Sequence, residues 1–213
     1  MNLEKLSQII KTKKLLIFDF DGTIADSLGI EFEIYSEYLK SINKTISHDD
    51  WEKLLKAHTA EGYIKFMNAL FGMDLDYYEF KDKYAEFTKI VEARHPVKPY
   101  AWFKKAVNGF DKVKMVILSN KDEDLIRDNL VDWKMSEKFC AIYSCTTLRK
   151  TKEELYPQIL SDFLLSGEDC VAFEDTECYL AAAKSLNIIT VGVEHTNNKG
   201  ELNSADYIID TTK

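Results

Sequence analysis

Leu15-Leu16-Ile17-Phe18-Asp19-Phe20-Asp21-Gly22-Thr23 passes abruptly from a continuous apolar run to two carboxylates and a glycine. An uninterrupted apolar run of strand length reads as a strand buried on both faces, and such strands belong to parallel sheets. Working outward, similar runs stand at 113–118, 140–143, 170–173, 188–193 and, shorter, 207–209. Helical patterns lie between them at about 100–108, 121–131, 152–164 and the Ala-rich 177–186, after a short N-terminal helix over 3–11. This alternation predicts an α/β fold with a doubly wound parallel sheet.

Residues 24–95 break the alternation. They carry helical patterns at roughly 27–41, 48–57, 60–71 and 76–93, with no buried strand. Ser47-His48-Asp49-Asp50 reads as a capping box opening the second helix. Tyr and Phe crowd this stretch, as in the core of a small helical bundle. His95-Pro96 through Pro99 reads as the return linker. The expected organisation is an α/β core of residues 1–23 and 96–213, with 24–95 as a small inserted helical domain.

The chain has 213 residues, 46% of them hydrophobic, and a net charge of −8. It can bury a substantial core, and its charge repels nucleic acid phosphates; no Lys/Arg-rich stretch offsets that. The cysteines Cys140, Cys145, Cys170 and Cys178 form no C-x-x-C pair and lie apart from the histidines. They read as reduced core thiols of a cytoplasmic protein rather than zinc ligands. No apolar run is long enough to cross a membrane, and the N-terminus has no apolar signal region.

The polar residues that follow the apolar runs carry the chemistry, because open parallel sheets bind ligands at the carboxyl ends of their strands. Asp19 and Asp21 end the first run. Buried carboxylates are costly unless paired or metal-bound, so a cation is expected there. Gly22 lets the chain turn and lets backbone N–H groups approach an anion. Ser119-Asn120 ends the second run, where a hydroxyl and helix N–H groups can meet a phosphate; the same pair also suits a plain N-cap. Arg149-Lys150-Thr151-Lys152 offers an ammonium near a helix start. Glu174-Asp175 ends another run with hard oxygen ligands suited to Mg²⁺, or with ordinary N-cap chemistry for the helix that follows. Taken together, four acidic groups in one small volume require a metal to assemble the site.

These residues resemble the haloacid dehalogenase superfamily over essentially the whole chain. Its D-x-D-G-T motif stands here as Asp19-Phe20-Asp21-Gly22-Thr23, its post-strand S/T as Ser119, its lysine as Lys150, and its acidic pair as Glu174-Asp175. The resemblance implies a Rossmann-like core with an α-helical cap after the first motif. It implies Asp19 as nucleophile and Asp21 as acid/base. It implies phosphate binding by Gly22, Thr23, Ser119, Asn120 and Lys150. It implies Mg²⁺ held by Asp19, the carbonyl of Asp21 and Asp175, with Glu174 acting through water. Lys150 is favoured over Lys152 by aligning Tyr156 with the family's aromatic residue; the prolines usual after that lysine are absent.

The second aspartate excludes the carbon–halogen and phosphonate-cleaving branches. The stretch Leu28-Gly29-Ile30-Glu31 lacks the histidine that the resemblance places in β-phosphoglucomutase-type enzymes, which argues against a sugar phosphomutase and leaves it as a lesser alternative. What remains is a Mg²⁺-dependent phosphomonoester hydrolase acting on a small phosphorylated metabolite through an aspartyl-phosphate. The expected partner is that substrate, with neither nucleic acid nor membrane; the oligomeric state stays open. A phosphoacceptor signalling module and a non-hydrolytic phospho-ligand binder are the alternatives, and repeated phosphate release separates them from a phosphatase. His58, within His58-Thr59-Ala60-Glu61-Gly62, is a candidate substrate contact from the cap.

Overall fold

The computed structural model describes residues 3–55 and 60–211. His58 and Thr59 lie outside the described residues, so the substrate contact suggested for His58 has no structural account. The chain divides into two compact units, one of Met1–Asp26 with Lys98–Lys213 and one of Ser27–Val97.

In the first unit, six parallel strands form one sheet. They are β1 (Leu15–Phe18), β4 (Lys114–Ser119), β5 (Ala141–Ser144), β6 (Cys170–Glu174), β7 (Ile189–Glu194) and β8 (Tyr207–Asp210). Their order is β5-β4-β1-β6-β7-β8. The helices of this unit are α1 (Leu3–Ile10), α6 (Ala101–Ala106), α7 (Glu123–Asp132), the single turn α8 (Cys145–Leu148), α9 (Lys152–Asp162) and α10 (Glu177–Ser185). This is the doubly wound sheet expected from the alternating pattern.

β1 is the central strand, with all four residues buried. Phe18 pairs in register with Ile117 of β4 and Phe173 of β6. Its ring stacks on Phe173 at 4.4 Å and meets Phe103 edge-on at 5.5 Å. Such ring pairs contribute about 0.5–1.5 kcal/mol each beyond simple burial, and they rigidify the strand whose end carries Asp19. Because β4, β1 and β6 are neighbours, Ser119, Asp19 and Glu174 emerge side by side, strands being about 4.8 Å apart. The chain runs from β1 outward to β4 and β5, then returns to the other side of β1 at β6. That reversal opens a crevice beyond the carboxyl ends.

β2 (Ala25–Asp26) and β3 (Lys98–Pro99) pair antiparallel. These two-residue strands are too short to leave a periodic signal in the sequence. Their pairing joins residues 25–26 to 98–99 within the α/β unit, and the compact units part near 26 and 98.

The second unit is helical: α2 (Leu28–Ser41), α3 (His48–Leu55), α4 (Ala60–Phe71) and α5 (Tyr77–Arg94). Its core gathers Tyr35, Tyr38, Leu39, Trp51, Met67 and Phe80. Ser47 caps α3 by accepting the Asp50 N–H at 3.1 Å and donating to the Asp50 carboxylate at 2.8 Å. Asp76 caps α5 through the N–H groups of Tyr78 and Glu79.

Candidate active site

Asp19 lies one residue beyond β1 and is 7% exposed. Its N–H extends the sheet ladder to the Phe173 carbonyl at 2.9 Å. Lys152 Nζ donates to Asp19 Oδ1 at 2.7 Å, and the Thr23 hydroxyl donates to Oδ2 at 3.3 Å. Burial, assisted by the charges of Asp175 and Asp21, pushes the Asp19 carboxyl up to about 6; Lys152 opposes the rise.

The turn after Asp19 is tight. The N–H groups of Thr23, Ile24 and Ala25 all converge on the Phe20 carbonyl, and the Gly22 N–H reaches Ala25 O at 3.0 Å. Gly22 takes φ +73°, which a glycine adopts without strain. Gly22 thus lets the chain turn, as the sequence implies, and its own N–H is taken up in closing that turn. Thr23 is likewise fully buried and gives its hydroxyl to Asp19. That contact places Thr23, a phosphate-binding candidate of the sequence reading, directly against the Asp19 carboxylate.

Lys152 corrects the reading that favoured Lys150. Lys150 is exposed and donates to Gln158 Oε1. Lys152 is 2% exposed and bridges Asp19 and Glu174, the latter at 2.6 Å. The cause is local. Thr151 caps α9 and forms a capping box with Glu154, which makes Lys152 the first helical residue. The aromatic alignment used in the sequence does not sense this, whereas the T-x-x-E pattern at 151–154 does. Burial alone would lower the Lys152 ammonium, but the charges of Asp19 and Glu174 outweigh it and hold it well above the ordinary lysine value.

Glu174 ends β6 fully buried; burial and the Asp19 charge raise its carboxyl, against Lys152. Asp175 is pushed up by burial, but the His195 hydrogen bond leads the contributions that leave it below its ordinary value. Atoms of Asp19, Glu174 and Asp175 lie within 4.8 Å of one another.

Ser119 is buried at the end of β4, and its Oγ accepts the Lys121 N–H at 3.1 Å, leaving the hydroxyl proton available. Asn120 turns its carboxamide to the Tyr179 hydroxyl at 3.2 Å, and the Lys152 ammonium lies over that same ring at 4.5 Å. Asn120 therefore supports the site through Tyr179.

Sequence reasoning missed three residues. Lys121 is 8% exposed, lies over the Phe20 ring and pairs with Asp21 Oδ1 at 3.2 Å. Its signal was its place two residues after Ser119, at a central strand end. His195 stands two residues after the apolar run 188–193, a strand-end place the reading did not use, whereas Tyr179 left no signal in sequence because it reaches the site only through the fold.

The residues present fit a divalent cation. Asp19, Asp21, Glu174 and Asp175 bring four negative charges when ionised, and Lys121 and Lys152 bring two positive ones. The balance of two negative charges, on hard oxygen donors in a mostly buried pocket, matches one Mg²⁺ in charge and ligand type.

The family model described as haloacid dehalogenase-like hydrolase matches residues 16–193. The chain belongs to that family, and within it is a phosphatase. It is 26% identical over 202 residues to a Bacillus subtilis (strain 168) protein named as a phosphatase, YhcW, covering 91% of this chain and 89% of that one. It is 24% identical over 193 residues to the phosphorylated carbohydrates phosphatase of Thermotoga maritima, covering 87% and 88%. Among solved structures, CbbY from Rhodobacter sphaeroides in complex with phosphate shares the fold, with a TM-score of 0.77 at 14% identity over 93% of this chain and 94% of that one. Among the described residues, no helix is long and apolar enough to cross a membrane.

Proposed function

We propose that this enzyme is a Mg²⁺-dependent phosphomonoester hydrolase that acts on a small phosphorylated metabolite through an aspartyl-phosphate on Asp19. The observation that carries this reading is the buried Asp19 carboxylate, held by Lys152 at 2.7 Å and by Thr23 within an acidic cluster. A carboxylate fixed at both oxygens is oriented for attack and shielded from bulk water.

An Asp19 oxygen attacks phosphorus while Asp21 gives its proton to the departing ester oxygen. The P–O bond breaks and the alcohol leaves. Asp21, now a carboxylate, takes a proton from water, which attacks the phosphoaspartate; inorganic phosphate leaves and Asp19 is restored. Lys121 beside Asp21 holds that carboxylate in one orientation. Ser119, through its free hydroxyl proton, and Lys152 hold the phosphoryl oxygens. Asp19, the Asp21 carbonyl and Asp175 would hold Mg²⁺, with Glu174 acting through water. Bound there, the ion would supply Lewis-acid stabilisation of charge on the phosphoryl group.

Substrate selection belongs, in this reading, to the helical unit acting as a cap. A cytoplasmic location agrees with the four free cysteines, since reducing compartments keep thiols unpaired. The test is a screen of phosphorylated metabolites with Mg²⁺, with Asp19→Asn as the blank. Repeated, Asp19-dependent phosphate release supports the proposal. Stoichiometric labelling without turnover would replace it with a phosphoacceptor role.

A further inference from the structure

We propose that His195 is a positioning residue that fixes the Asp175 carboxylate for a divalent cation, an inference that rests on the metal reading above. His195 follows β7 directly and is 8% exposed. Its Nε2 lies 2.9 Å from Asp175 Oδ2. Its Nδ1 accepts the Asn197 N–H at 3.2 Å. A ring nitrogen that accepts carries no proton, so the ring proton sits on Nε2 and points at the carboxylate.

The turn that carries His195 is itself tied to Asp175. The His195 N–H donates to Asn198 Oδ1 at 2.8 Å. The Asn198 Nδ2 donates to the Asp175 carbonyl at 2.7 Å and to the Val193 carbonyl at 3.0 Å. One short turn thus grips both the backbone and the side chain of Asp175. On the other carboxylate oxygen, the Thr176 hydroxyl donates to Oδ1 at 3.1 Å. Asp19 and Glu174 are each pinned by Lys152, which does not bond Asp175. His195 therefore supplies for Asp175 the restraint that Lys152 supplies for the other two. Mg²⁺ demands oxygens at closely defined distances, so a carboxylate free to rotate would bind it less well. Loss of an outer partner of this kind typically weakens metal binding about ten- to a hundredfold.

The experiment is calorimetric titration of substrate-free protein with Mg²⁺, on the wild type, His195→Ala and His195→Gln, with thermal melting in EDTA to check the fold. His195→Ala is expected to weaken Mg²⁺ binding about ten- to a hundredfold, and His195→Gln, which keeps an N–H donor, to recover most of the loss. An undiminished affinity in folded His195→Ala, or a His195→Gln as weak as His195→Ala, overturns the role of His195. A wild type that binds no Mg²⁺ overturns the metal reading instead. If His195→Ala does not fold, long-range ¹H–¹⁵N spectra of the wild type in mildly alkaline buffer decide. The expected signature is a protonated Nε2, a bare Nδ1 and a shift on adding Mg²⁺; the opposite tautomer, or a signal blind to Mg²⁺, overturns the proposal.

Discussion

The two units bury opposite kinds of chemistry. Among the described residues, every buried carboxyl, ammonium and imidazole group belongs to the α/β unit: Asp19, Lys121, Lys152, Glu174 and His195. Among the described residues of the helical unit, the buried polar ones are Ser27 and Thr88. Its core is aromatic and aliphatic instead, with Tyr35 packed on Trp51 at 5.0 Å and on Tyr84 at 4.9 Å. Burying an ion costs several kcal/mol even after relaxation, whereas burying a ring is favourable. A fold concentrates charge in one interior only where the charges hold one another or a ligand. The helical unit is held by packing of that core.

The contrast breaks most sharply at Asp19. Asp19→Asn should lower phosphate release by about several orders of magnitude, because an amide is a poor nucleophile; steady-state assays that show near-normal turnover would move the nucleophile elsewhere.

Next in size is the lysine pair. Lys152→Met strands two buried carboxylates and removes a phosphoryl donor, so a loss of about 10²–10³ in kcat is expected. Lys150→Met removes an exposed side chain bonded to Gln158, and should change the rate by less than about twofold. Parallel assays of the two variants check the assignment, and a reversed order would restore Lys150.

Mg²⁺ affinity should follow pH through the Asp19 carboxyl, which burial raises to about 6. Below that value a proton occupies the carboxyl and competes with the cation. Binding should therefore weaken on going from neutral to acidic buffer, by up to about tenfold per pH unit. Titrations across that range test the sign, and tighter binding in acid would refute it.

On the other side of the comparison, Leu39→Ala in the fully buried helical core should cost about 2–5 kcal/mol of stability while leaving Mg²⁺ affinity unchanged. Smallest is Ser47→Ala, which removes the α3 cap and should cost about 1 kcal/mol. Denaturant unfolding reads both. A loss of Mg²⁺ affinity in Leu39→Ala would show that the units are not separable in this way.

Much of this was legible in one chain of letters. The apolar runs gave up the six sheet strands to within a residue or two, because strands buried on both faces admit no polar positions. Asp19, Asp21, Ser119, Glu174 and Asp175 announced themselves as polar residues directly after those runs. The ribbon of β2 and β3 was not legible, since two residues make no period. Gly22 and Thr23 were identified as important, but their hydrogen-bond partners depend on how the turn closes.

The sequence alone determined the alternation of buried strand and helix and the acidic character of the strand ends, since both follow from local apolar runs and what interrupts them. Only the tertiary structure decided which lysine meets Asp19, that Lys121 reaches Asp21, and that His195 grips Asp175. Those choices join residues 133, 100 and 20 positions apart in the chain. They depend on which strands become neighbours and on the residue at which each helix begins, and no local pattern encodes such distances.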